Sequence, residues 1–191
     1  QVAIDIRNVQ QFKEDKAIRK NLKEARLIGC FYVESPAMRM LLTKLQAETY
    51  LDLVAASSII RPGVASSGMM REYILRSRGM KPSYQTPQAI NDILHDTYGV
   101  MVYQEDVIKV AYHFAGLSFA DADMLRRGMS GKYRGREEFK KVEQKFFSNC
   151  KQKGYPDTTT KEVWRQIESF AGYAFSKGHS ASYAVESYQC M

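Results

Sequence analysis

Val163, Trp164, Ile167, Phe170 and Ala171 recur at spacings of three and four, the most regular apolar stripe in the chain. Such spacings collect side chains on one face of an α-helix, whereas a strand collects every second residue. Phe139, Val142, Phe146 and Cys150 form a second long stripe just before it. Two long amphipathic helices in succession must bury their apolar faces on other helices or on a sheet. Sheet signals are few. Val2 to Ile6 alternates apolar and polar residues, Leu27 to Val33 reads as a strand or a buried turn, and Gly99 to Val102 is a short extended candidate. The expected class is mainly α, with many helices and at most a few short strands.

Start and stop signals divide the chain. Phe12 to Arg26 is charged, with sparse anchors at Phe12, Ile18 and Leu22, and reads as one solvated helix. Ser35-Pro36 places a capping serine before a proline at the first helical position, ahead of Met38, Leu41, Leu42 and Leu45. A helix is expected from about Glu48 to Ile60, ended by Arg61-Pro62-Gly63 because proline disfavours helical geometry in the residue before it. Ser67-Gly68 precedes another, with Met69, Met70, Tyr73 and Ile74 apolar, and Arg78 to Pro87 is a loop. Thr86-Pro87 repeats the cap-and-proline signal. Tyr103 to Phe114 reads as a helix closed by Gly116. Ser118 with Asp121, and Thr159 with Glu162, fit capping boxes.

The formal net charge is +7 over 191 residues, which favours an acidic partner: nucleic acid, nucleotide or an anionic membrane surface. From Arg126 to Lys153 there are ten basic residues against three acidic ones, so this stretch alone carries the whole excess. It opens on two arginines followed by loop glycines, which suits close approach to phosphates. No apolar run approaches the roughly 20 residues that span a bilayer. Cys30, Cys150 and Cys190 have neither zinc nor disulfide-framework spacing and read as buried thiols of a cytosolic protein. The chain opens on Gln1 without a signal peptide and stops in what reads as mid-helix, so a piece of something longer is expected.

Two clusters are candidates for an anion. Arg126 and Arg127 are adjacent, so on a helix they diverge by about 100°. They grip one ligand only if it lies across the helix end or is large enough to wrap, as a triphosphate is. Lys177 and His179 share the polar stretch Ser176 to Ser180 between two helical patterns, where helix N-termini add amide donors. His95 and His113 have no such company and read as structural. Asp121-Ala122-Asp123 resembles the paired carboxylates of a two-metal site, but residues two apart on a helix diverge, and acids belong in a first turn anyway. There is no P-loop and no nucleophile elbow.

Six blocks occur in order: Phe31-Tyr32-Val33-Glu34-Ser35; Arg61-Pro62-Gly63; Ser67-Gly68-Met69; Asp96 to Glu105; Ala122 to Met129, containing Leu125-Arg126-Arg127; and Phe170 to Ala181, containing Ser176-Lys177-Gly178-His179. Together they resemble the bacterial C-family replicative DNA polymerases, the polymerase III alpha subunits, from about Cys30 to Gln189. The resemblance implies the fingers portion of such a polymerase over residues 31–191, with residues 1–30 as a lead-in from the palm side. It implies triphosphate binding for Arg126, Arg127 and Lys177, and contact near the sugar or phosphate for His179. Arg61, Lys132 and Arg134 are weaker candidates for phosphate of nucleotide or DNA.

The implied partners are primer-template DNA and deoxynucleoside triphosphates. In the full protein they also include the sliding clamp and other replisome subunits, with no membrane and a cytoplasmic location. Mg2+ is expected only through palm carboxylates outside this stretch, so no catalytic or metal-binding residue is assigned here and the fragment alone is expected to be inactive. Two positions depart from the family. Its common Asn-Lys-Ser-His is Ser176-Lys177-Gly178-His179 here, which makes the loop more flexible. Its common Arg-Pro-Gly-Pro is Arg61-Pro62-Gly63-Val64, which alters a turn. Two alternatives come from other classes: a stand-alone helical nucleic-acid-binding module, and a helical protein-interaction domain.

Overall fold

The computed structural model describes residues 4–60, 68–83, 85–128, 137–170 and 175–191, with eleven α-helices and no strand among them. They fall into two compact units, Gln1–Ile60 with Lys177–Met191, and Arg61–Ser176.

In the first unit the expected helix from Phe12 to Arg26 is two. Asp15 is extended, and its Oδ1 accepts from the amides of Ala17 and Ile18 at 2.7 and 3.1 Å. It therefore ends α1 (Val9–Glu14) and caps α2 (Lys16–Lys23). Ile18 and Leu22 are buried. Leu27 to Val33 takes the turn reading rather than the strand one. Gly29 and Tyr32 have positive φ, and Leu27, Cys30 and Val33 point inward at every third residue. α3 (Pro36–Leu45) begins as its sequence requires: the Met38 amide donates to Ser35 Oγ at 3.2 Å, and Met38, Leu41, Leu42 and Leu45 are buried.

α4 (Tyr50–Ile59) starts two residues later than expected, at a capping box of Thr49 and Asp52. It is buried without interruption from Leu53 to Ile59, which marks a helix surrounded by others. Its main neighbour is α11 (Lys177–Cys190), which presents Ser180, Ala184 and Ser187 as a buried small-residue stripe. The hydroxyls of Ser58 and Ser180 meet at 2.7 Å, both wholly buried. Tyr50 donates to the Ala181 carbonyl at 2.8 Å, and Ser187 bonds the Tyr183 and Phe31 carbonyls. Ser180→Leu would overpack this seam and orphan the Ser58 hydroxyl. It is expected to cost about 3 kcal/mol, read as a lowered thermal midpoint, while Ser180→Ala costs far less.

The second unit contains α5 (Met69–Ser77), α6 (Gln88–Ile93), α7 (Gln104–Lys109), α8 (Phe119–Gly128), α9 (Glu137–Gln152) and α10 (Asp157–Phe170). α9 buries Phe139, Val142, Phe146 and Cys150, the four positions its spacing names. α10 buries Val163, Trp164 and Ile167. Phe114, Phe139, Phe146, Phe147, Tyr155 and Trp164 join in one aromatic core. Burial pushes the Cys150 thiol up to about 11. Cys30 is also buried, but Cys190 is exposed, against the expectation for all three.

Three boundaries differ from their sequence signals. At Thr86-Pro87 the cap position is Pro87, extended at φ −54° and ψ 141°, and the buried Thr86 hydroxyl has no partner among the described residues. Thr159 and Glu162 lie inside α10, which begins at Asp157 with the Thr160 amide bonded to the Pro156 carbonyl; Glu162 pairs with Arg165 instead. The helix from Tyr103 changes gauge after Lys109 into a π-helical turn, Val110–Phe114, where the Ala115 amide bonds the Val110 carbonyl five residues back. Gly116 closes it in the left-handed region at φ +66°. Gly99 to Val102 pairs with no strand among the described residues, and the Val102 amide is taken by a side chain described below. Among the described residues, no helix is long and apolar enough to cross a membrane.

Candidate functional site

The end of α8 carries Arg126 and Arg127. Its start is fixed by Ser118, whose Oγ accepts from the Asp121 amide at 3.1 Å. Asp121 then pairs with Lys145 of α9 at 3.0 Å. Asp123 lies three residues before Arg126 and four before Arg127, the spacings that bring helical side chains together. Its Oδ1 accepts from Arg126 Nε at 2.9 Å and Nη2 at 2.8 Å, and its Oδ2 from Arg127 Nε at 2.9 Å. Both carboxylates of the Asp-Ala-Asp sequence are thus taken up by basic side chains. Among the described residues no group of three or more His, Cys, Asp or Glu side chains is arranged to hold a metal ion.

Arg126 has a second partner. Its Nη1 donates to Gln104 Oε1 at 3.1 Å, and the Gln104 amide donates to the Phe175 carbonyl at 3.2 Å. Gln104 is the first residue of α7, and Asp106 sets that helix start. The Asp106 carboxylate is almost wholly buried, and its Oδ2 accepts from the Val102 and Tyr103 amides, each at 2.9 Å. Burial pushes this carboxyl above its ordinary value, against the pull of the two amides and Lys109. Asp106→Ala would leave two buried amides unsatisfied. It is expected to cost about 3 kcal/mol in a denaturant titration, with Asp106→Asn intermediate because one acceptor oxygen remains.

Gly128, the last residue of α8, touches α9 through its missing side chain. A Cβ there would stand 2.5 Å from Phe139 Cδ2. The residue after the two arginines must therefore be glycine for the helices to close at this distance.

Arg61, Lys132 and Arg134 lie outside the described residues. Lys177 and His179 lie in the first unit, Arg126 and Arg127 in the second. The loop expected from Phe175 to Ser180 gives way to helix early, because Lys177 is already the first residue of α11. Two residues apart on a helix, Lys177 and His179 point about 160° apart. Lys177 is half-buried and His179 exposed, with its ring 4.4 Å from that of Tyr183. His95 and His113 are exposed, His95 beside Asp96 at 3.0 Å.

Two features of the site escaped the sequence reading. The Asp123 grip was legible in its i+3 and i+4 spacing to the arginines, whereas the Gln104 contact, 22 residues away, had no local signal.

Comparison with known proteins supplies the lineage. The family described as the bacterial DNA polymerase III alpha subunit finger domain matches residues 1–154. The chain belongs to this family. A DNA polymerase III subunit alpha of Aquifex aeolicus is 36% identical over 97% of this chain and 16% of its own length. One from Campylobacter jejuni is 34% identical over 92% of the chain and 14% of its own length. An error-prone DNA polymerase of Methylococcus capsulatus is 38% identical over 92% of the chain and 17% of its own length. The chain thus spans about a sixth of these relatives. As a polymerase III finger domain, the chain carries the Leu125-Arg126-Arg127 block inside the matched region.

Proposed function

We propose that this chain is the fingers portion of a bacterial DNA-directed DNA polymerase and binds the incoming deoxynucleoside triphosphate and primer-template DNA. Arg126 and Arg127 hold the triphosphate, Lys177 adds charge to it, and His179 contacts the sugar or a phosphate. Arg61, Lys132 and Arg134 meet phosphates of nucleotide or DNA. Residues 1–30 lead in from the palm side. The palm carboxylates and their Mg2+ lie elsewhere in the complete polymerase, so this portion alone does not polymerise. The sliding clamp and other replisome subunits engage the complete protein, which works in the cytoplasm.

The observation that supports this reading best is the convergence of Arg126 and Arg127 on one carboxylate. Adjacent side chains that would otherwise diverge are brought to one side of the helix end. Guanidiniums held in this way match phosphate oxygens in planar, bidentate fashion. Salt-dependent DNA binding does not separate this reading from a stand-alone DNA-binding module, because both are basic. Nucleotide dependence does. In the complete polymerase, Arg126→Ala should raise the nucleotide KM or lower turnover, and an unchanged pair of constants would sink the assignment.

A further inference from the structure

We propose that Asp123 is a positioning residue for nucleotide binding, acting through Arg126 and Arg127. This rests on the reading of those two arginines as triphosphate ligands. The geometric difficulty with an adjacent pair is their divergence around the helix. Asp123 removes it. One carboxylate oxygen holds Arg126 by Nε and Nη2, and the other holds Arg127 by Nε. Gln104 fixes the remaining edge of Arg126 through Nη1. A guanidinium carries five N–H donors, and these three bonds leave Arg126 with donors for a phosphate oxygen. The group stays accessible: side-chain exposure is 29% for Arg126, 62% for Arg127 and 39% for Asp123.

Charge and positioning make opposite predictions for Asp123. A carboxylate beside an anion site repels the anion, so by Coulomb's law alone its removal tightens nucleotide binding. If the carboxylate instead sets the arginines in place, its removal frees two long side chains whose ordering the nucleotide must then supply, and binding weakens.

The test is steady-state kinetics of the complete polymerase, with Asp123→Ala, Asp123→Asn, Arg126→Ala and Arg127→Ala in parallel. Asp123→Ala is expected to raise the nucleotide KM about tenfold with a smaller change in kcat. Asp123→Asn, which has the same shape and keeps one acceptor oxygen, should fall between. In the Arg126→Ala, Arg127→Ala background, Asp123→Ala should add nothing, because the residues act as a unit. If the arginine variants raise KM but Asp123→Ala and Asp123→Asn leave it unchanged or lower it, positioning is wrong and the triphosphate reading survives. If the arginine variants themselves leave KM and kcat unchanged, the triphosphate reading fails and takes this inference with it.

Discussion

Replacing Arg126 and Arg127 together with alanine in the complete polymerase is expected to lower kcat/KM for nucleotide by about a thousandfold. Each guanidinium making charge-assisted bonds to phosphate contributes roughly 1.5–3 kcal/mol, so two give about 4 kcal/mol, and each 1.4 kcal/mol is a factor of ten. Contacts made equally to substrate and transition state appear in KM. Those that strengthen as charge moves toward the leaving pyrophosphate appear in kcat. Arg126→Lys should recover little, since an ammonium cannot bond Asp123 and phosphate through one rigid plane. Primer-template affinity measured without nucleotide should change much less. A double variant that loses DNA binding in the same proportion as nucleotide use would point to a general electrostatic role for the pair instead.

The largest stability effect is expected at Phe146. Its side chain is wholly buried, with ring centroids 5.1 Å from Trp164, 5.8 Å from Phe147 and 6.4 Å from Phe114. Phe146→Ala removes the ring that links α9 to α10 and to the π-helical turn, and should cost about 4 kcal/mol. For a chain of this size that lowers the thermal midpoint by about 10 °C. Phe146→Leu keeps part of the volume and should lose about half as much. Trp164 is the single tryptophan of the chain, so its fluorescence reports the event from inside the affected core. A midpoint unchanged by Phe146→Ala would mean that this cluster does not carry the second unit's stability.

Much of this core was legible beforehand, for a physical reason. α9 and α10 each bury one face against the rest of the unit, so apolar spacing maps directly onto contact. Cap positions were less legible where several competent residues crowd together. Asp157, Thr158, Thr159 and Thr160 all favour a helix start, and the bond from the Thr160 amide to the Pro156 carbonyl begins the helix at the first of them. Gly99 to Val102 forms no strand among the described residues, and Asp106 accepts from the amides of Val102 and Tyr103 that a neighbouring strand could have taken. In the site, residue type was enough to single out Arg126 and Arg127. Part of their support was not, because Gln104 is brought to Arg126 by folding, as Ser58 is to Ser180 elsewhere in the chain. Buried polar pairs of this kind carry no periodic signature. Glu72, wholly enclosed, is mixed: its pair with Arg76 has helical i,i+4 spacing, whereas its bond from the Ser83 amide has no local signal.

The turn Val110–Phe114 closes its hydrogen-bonded rings over five residues where an α-helix uses four. It therefore holds one residue more than a regular helix needs to cover the same path. Tyr112 and His113 are its exposed members, while Val110, Ala111 and Phe114 face inward. A deletion of one residue here can be absorbed by reverting to ordinary helical bonding, whereas the same deletion inside α9 would rotate every downstream side chain by about 100°. Length variation among relatives should therefore concentrate in this segment, and a chain shortened by His113 alone should still fold.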